Sequence, residues 1–266
     1  MNDTATNAGS PPLEAALHLL HTRPDPRRLA VWAARRGLLQ SGDPGYALHG
    51  LLHAAFGAQA PQPFRYLDAE QGLLAYTRMD LATLRRQIAL ADPEVVAALG
   101  LAATAEHDGC SLRPFPAQWP LGHVLGFELR LRPVVREGRT GQERDAFLAA
   151  IEQVGAEVAV DRAEVYRRWL QSRLQDRTEA TAGWQGAAEL LEARMTRYRL
   201  LGVLRRTQAD GAPGGGRQPR VTMGPDVVMQ GRLRVSDPQA FAQLLARGVG
   251  RHRAFGFGML LLRPGD

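Results

Sequence analysis

A tyrosine and two histidines stand three and four residues apart in Gly45-Tyr46-Ala-Leu-His49-Gly-Leu-Leu-His53. On a helix, Tyr46, His49, Gly50, His53 and Gly57 fall on one side and Leu48, Leu51, Leu52 and Ala55 on the other. Histidine is the side chain suited to moving protons near neutral pH. A Tyr–His pair at i, i+3 offers two hydrogen-bonding groups to one reacting phosphate. Small Gly50 between them is expected to leave room for a ligand. His49 and His53 at i, i+4 also make half of a zinc site, but no Glu follows the first histidine and no third ligand is near, so no metal is expected.

The second constellation is the last stretch. Gly248, Gly250, Gly256 and Gly258 bracket Arg251, His252 and Arg253, and the apolar run Met259–Leu262 follows. Glycine permits positive φ and lets backbone N–H groups approach an anion, while arginine adds charge and forked donors. A plain turn before a strand, with solvated arginines, is the competing reading. Further arginines cluster at Arg28, Arg35 and Arg36 (one helical face with Trp32), at Arg194, Arg197, Arg199, Arg205 and Arg206, and at Arg247.

Composition narrows the partners. The chain has 266 residues, net charge +6 and 45% hydrophobic residues; all 33 of its basic residues are arginine. Guanidinium pairs bidentately with phosphate and stacks on bases, so an acidic partner such as nucleic acid is favoured. No run approaches a membrane span, no signal peptide is seen, and Cys110 stands alone, so a cytoplasmic protein without membrane contact, disulfide framework or cysteine zinc cluster is expected.

The elements that must carry these residues follow in order. Residues 1–12 are expected to stay unfolded, and a strand covers 13–23. Pro24-Asp-Pro starts a helix to about Leu39, and Asp43-Pro44 caps the helix that bears His49, ending at Gly57. Strands at 64–67 and 73–77, a helix over 81–101 interrupted at Asp92-Pro93, and a strand over 123–132 complete a ferredoxin-like element order. Helices follow at 143–154 and 161–175. Residues 187–207 read as a basic hairpin arm or as a helix then a strand, with a flexible tip at 211–218. A strand at 227–235, a helix at 239–247 and the glycine-rich stretch end the chain.

Gly-Val-Gly, five residues, then Gly-Phe-Gly-Met-Leu-Leu-Leu at the C-terminus resembles the glycine-rich loop of the CRISPR repeat-processing endoribonucleases of the CasE branch. Tyr46-Ala-Leu-His49 stands where that family carries Tyr-x-x-His, its histidine acting in RNA cleavage. Phe127-Glu-Leu-Arg-Leu-Arg-Pro133, the helix with Trp169-Leu170, and the order strand, Asp-Pro helix, glycine loop, strand are also similar. The inserted segment Arg27–Leu39 departs from the pattern and leaves open whether arginines share the chemistry with His49.

The resemblance implies an α+β fold of two tandem ferredoxin-like (RRM-like) domains, 1–135 and 136–266, belonging to a type I-E or a divergent type IV system. It implies an endoribonuclease without metal or other cofactor that cuts CRISPR repeat RNA, leaving 2′,3′-cyclic phosphate and 5′-hydroxyl ends, and then stays bound to the crRNA hairpin in a surveillance complex. His49 and Tyr46 are then catalytic, with Arg28, Arg35, Arg36 and His53 in support. Arg194, Arg197, Arg199, Arg205, Arg206, Arg247, Gly248, Gly250, Arg251, His252, Arg253 and Gly256 bind RNA. The alternatives are a crRNA hairpin- or handle-binding subunit that no longer cuts, and a general RRM-like protein, which the lack of an aromatic-rich strand motif weakens.

Overall fold

The computed structural model describes residues 16–38, 43–104, 109–116, 118–136, 142–155, 158–175, 186–207 and 218–265, with side chains left aside at 204–207 and 218–220. The expected unfolded segment 1–12, the start of the first strand and most of the hairpin tip lie outside these residues.

Two four-stranded antiparallel sheets organise the chain. The first contains β1 (His18–Thr22), β2 (Phe64–Asp68), β3 (Gly72–Thr77) and β4 (Ser111–Pro114), in the order β2-β3-β1-β4. Helices α1 (Pro26–Ala34) and α2 (Gly45–Phe56) link β1 to β2, while α3 (Leu81–Leu90) and α4 (Pro93–Leu99) link β3 to β4. The second sheet contains β5 (Val124–Leu131), β8 (Ala188–Thr207), β9 (Gln218–Val235) and β10 (Leu260–Pro264), in the order β10-β5-β9-β8. A short ladder of β6 (Val134–Arg136) with β7 (Glu143–Asp145), then helices α5 (Ala146–Val154) and α6 (Arg162–Leu174), separates β5 from β8; α7 (Pro238–Arg247) separates β9 from β10. Each sheet thus has fourth-first-third-second order, the ferredoxin-like arrangement.

One expectation is corrected here. Val124–Leu131 was expected to close the first sheet, yet it is the first strand of the second. Its alternate residues Leu125, Phe127, Leu129 and Leu131 bury against Tyr166, Trp169, Leu170, Phe241 and Leu245, a set that only the second half of the chain supplies. Four-residue β4 takes the closing position. It is largely exposed, so it carries no strong alternation to betray it. The chain passes between sheets across residues 115–123, ahead of the polar stretch after Pro133.

Aspartate starts most helices. Asp25, Asp80, Asp92, Asp145, Asp161 and Asp237 each accept a first-turn backbone N–H, and Pro26, Pro93 and Pro238 occupy first helical positions, where a missing N–H costs nothing. The stretch 187–207, left open between arm and helix, is a 20-residue strand paired with 18-residue β9. Its apolar residues alternate, and a long antiparallel partner satisfies its backbone; both favour strand over helix.

The sheets are joined through their cores. Tyr76 on β3 is buried and its hydroxyl donates to the Leu260 carbonyl on β10 at 2.8 Å. Tyr76, Phe115, Trp119 and Phe241 form a chain of ring contacts with centroids 4.8, 5.7 and 5.3 Å apart, running from one unit into the other. Each such aromatic pair adds about 0.5–1.5 kcal/mol beyond its buried area.

Candidate functional site

The start of α2 and the C-terminal glycine-rich loop touch. Within the loop, Arg253–Phe255 forms a single 3-10 turn. The Phe255 ring stacks on Tyr46 (centroids 5.3 Å apart, planes at 19°) and meets His49 edge-on at 5.3 Å. His49 also meets His53 at 4.4 Å and Tyr46 at 6.3 Å. The contact depends on a glycine: a Cβ at Gly45 would lie 2.3 Å from the Phe255 carbonyl oxygen. Two segments separated by some two hundred residues thereby place an imidazole and a phenol beside an arginine-bearing loop.

His49 is half-buried, while His53 is exposed. Burial, then the neighbouring charge on His53, lowers the His49 pKa to about 4. At neutral pH His49 is therefore an uncharged imidazole, able to accept a proton at one nitrogen while its other N–H donates. An anion docked against it would pull its pKa back up.

Beneath this contact lies a buried ion network. Arg130 on β5 donates to Asp226 on β9 through Nε at 2.7 Å and Nη2 at 3.0 Å, and through Nη2 to Asp43 at 3.4 Å. Its guanidinium lies 4.1 Å from the Phe257 ring centre, and its carbonyl accepts from the Gly258 N–H. Arg130 thus ties Asp43, just ahead of α2, to the glycine-rich loop. Asp226 is fully buried and also accepts from Arg199 Nε at 2.7 Å, with Arg197 at 3.9 Å. Burial alone would raise the Asp226 pKa, but the Arg130 and Arg199 pairs outweigh it and hold it below the usual carboxylate range. The reverse applies to Arg65 on β2. Burial and the nearby Arg130 and Arg197 lower its pKa to about 10, against the pull of Glu128 at 3.7 Å.

Three expectations are corrected. Asp43 does not cap α2: the cap position is Pro44, without a side-chain bond, because Asp43 turns to Arg130. Gly50 leaves no room for a ligand, since the Trp32 ring fills it to within 3.0 Å of where a Cβ would stand. His252 does not face outward. It adopts φ 62°, is buried, and bonds Glu143 at 2.7 Å, so its role is to fix the loop's path.

The other expected residues divide by position. Arg251 shares Glu143 with His252, at 2.7 Å, but stays half-exposed. Arg253 donates to the Arg247 carbonyl at 2.9 Å; burial, then Arg247 and Arg251, hold its pKa below the ordinary value. These residues with Gly250 line a cleft of about 580 Å³ that Phe255 and Gln62 also border. Gly248 and Gly256 pack on Pro63 and Phe64, and Gly250 combines φ 73° with a Trp169 ring 2.7 Å from a notional Cβ. Arg194 is exposed on β8, where Arg197 and Arg199 are half-exposed; Arg205 and Arg206 lie on the same strand, their side chains outside the described residues. Arg28 pairs with Asp25, Arg35 with Glu94 on α4, and Arg36 lies over Trp32, whose ring packs on Gly50 of α2. Among the described residues no three His, Cys, Asp or Glu side chains form a metal-holding group, and no helix is long and apolar enough to cross a membrane.

A family model described as CRISPR associated protein matches residues 17–264. The chain belongs to that family. Among curated proteins no sequence matches. Two solved structures of the CRISPR endoribonuclease Cse3 bound to 19-nucleotide RNA resemble it, each at 22% identity over 94% of this chain. They cover 100% and 99% of the Cse3 chain, with TM-scores of 0.55 and 0.58. Thermus thermophilus Cse3 bound to an RNA representing a pre-cleavage complex gives 0.55, at 21% identity over 94% of this chain and all of that one. At such identity the likeness speaks for the fold, which for this CRISPR-associated protein is two ferredoxin-like units.

Sequence reasoning missed Phe255, Arg130 and Asp226 as parts of the site. A signal existed for Asp226, the sole acid between Gln218 and Val235 in an arginine-rich arm. Phe255 gave none, because an aromatic in a glycine loop reads as a core anchor.

Proposed function

We propose that this CRISPR-associated protein is an endoribonuclease that cuts the repeat in a CRISPR transcript to yield crRNA, with proton transfer at His49. The observation that carries this is the ring contact between His49 and Phe255, which puts a neutral imidazole against a residue that borders an arginine-lined cleft. The similar solved structures are of a CRISPR endoribonuclease, two with bound 19-nucleotide RNA and one with RNA representing a pre-cleavage complex, which supports the same reading.

In this reading the ribose 2′-hydroxyl beside the scissile phosphate attacks phosphorus and the 5′-oxygen of the next nucleotide leaves. The products are a 2′,3′-cyclic phosphate and a 5′-hydroxyl. His49 takes the 2′-hydroxyl proton or delivers one to the leaving oxygen, Tyr46 orients the phosphate, and Arg251 and Arg253 stabilise charge on the pentacoordinate phosphorus. The reaction needs no metal ion or other cofactor. Exposed Arg194 with half-exposed Arg197 and Arg199 holds the repeat hairpin by its phosphates, and the product stays bound as the protein joins a surveillance complex. Incubation with repeat RNA in EDTA tests this: a discrete product with a cyclic phosphate end is expected, and retention without cutting would assign it instead to a non-catalytic crRNA-binding subunit. That second reading draws on the cover that Phe255 gives His49.

A further inference from the structure

The glycine-rich loop is a ridge with a cleft on each side. The cleft beside Phe255 belongs to the site already described. The other, of about 480 Å³, lies between the loop, the end of α7, β6 and α6. Trp169, Val134 and Leu244 form its apolar floor, Trp169 being buried with its indole N–H bonded to the Val134 carbonyl. Its walls carry five arginines from four elements: Arg136 from β6, Arg173 from α6, Arg247 from the end of α7, and Arg251 and Arg253 from the loop. The carboxylate of Glu143 answers Arg251 and is shared with His252. The Arg173 guanidinium rests 5.4 Å from the Trp169 ring centre, within cation–π range of the floor.

Such a concentration of like charge on an apolar floor calls for a polyanion. Its volume sits in the lower half of the range for small-ligand pockets, about 300–1,000 Å³, so it admits one strand and not a duplex. The two clefts share Arg247, Gly250, Arg251 and Arg253, so a backbone lying in the first continues over the ridge into the second.

We propose that this second cleft is a phosphate-backbone subsite for the single-stranded RNA flanking the repeat hairpin, with Arg136 and Arg173 contacting its phosphates. The proposal rests on the RNA-cleaving reading above and adds to it a place for the strand beyond the cut. Because Trp169 is buried, the cleft reads phosphates and not bases; it grips any sequence, and specificity comes from elsewhere.

The test uses the full chain and a fluorescein-labelled 12-nucleotide 2′-O-methyl oligouridine, which lacks the attacking hydroxyl. Each phosphate contact on a single strand contributes about 0.7 to the slope of log affinity against log salt. Arg136→Gln with Arg173→Gln should lower that slope by about 1.4 and weaken binding about 25-fold at 0.1 M salt, while Arg85→Gln on exposed α3 leaves both unchanged. A well-folded double variant with wild-type slope and affinity overturns the proposal. A readout on the unaltered protein covers the case of a misfolded variant: bound oligouridine should protect Arg136 and Arg173 from phenylglyoxal, and equal modification with and without it also overturns the subsite. Repeat RNA cut in a His49-dependent way with neither effect sinks the subsite alone; both effects without any cutting sink the nuclease reading alone.

Discussion

Replacing Asp226 with asparagine keeps the shape of a buried side chain and removes its charge. In the wild type that carboxylate accepts three close bonds, two from Arg130 and one from Arg199, at 2.7–3.0 Å. Without it, buried Arg130 keeps Asp43 at 3.4 Å as its remaining anion. Breaking a buried pair on one side costs about 3–5 kcal/mol. Asparagine retains one acceptor oxygen, which points to the low end, about 3 kcal/mol. For a chain of this size that is a Tm loss of roughly 6–12 °C. Arg199→Ala removes the half-exposed partner instead and should cost no more than about 1 kcal/mol. The asymmetry identifies Arg130 as the group that needs the carboxylate. The pH dependence has a definite sign. Because the folded-state pKa of Asp226 is depressed, its stabilisation is present in full above the unfolded value near 4 and is lost as pH falls through the lower folded value. The wild type should therefore lose more stability than Asp226→Asn as pH drops below about 4. Urea unfolding at pH 7 and at pH 3–4 checks both. An Asp226→Asn protein within 1 kcal/mol of wild type at pH 7, with the same acid response, would refute the network's role.

Other outcomes follow from the same geometry. His49, neutral in the free protein because its pKa is near 4, should titrate by NMR well below an ordinary histidine and rise when RNA binds; a free value near 6.5 would contradict the burial argument. The same depression means His49 favours the fold most above about pH 6.5, with that contribution falling as pH drops toward 4. Gly45→Ala drives a Cβ into the Phe255 carbonyl and should cost about 1–3 kcal/mol while slowing repeat cleavage, read by thermal melts and single-turnover assays. Tyr46→Phe keeps the stack on Phe255, so stability should hold within about 0.5 kcal/mol while kcat falls; unchanged kcat would remove the phenol from the reaction.

How much of this could be read in the sequence depended on how local the signal was. Asp-Pro helix starts and the periodic Leu48, Leu51, Leu52 and Ala55 are local, and the helices they mark stand where expected. The assignment of Val124–Leu131 to a sheet was not local. Its alternation is clear, but which helices cover its apolar face is decided by a partner set that appears only later in the chain. Asp43 and Gly50 misled for the same reason: a cap residue and a small residue have local meanings, which a buried arginine and a tryptophan from other elements overrode. The closeness of Tyr46 and His49 to the glycine-rich loop was legible only through family resemblance. No spacing rule states that residues 46 and 255 will stack.

The central claim is that His49 performs proton transfer on an RNA phosphodiester. Single-turnover cleavage of repeat RNA in EDTA, comparing wild type with His49→Ala, addresses it most directly. The wild type should give a discrete cyclic-phosphate product and the variant a rate about 10²–10⁴-fold lower, with hairpin affinity retained. A His49→Ala protein cutting at the wild-type rate would contradict it.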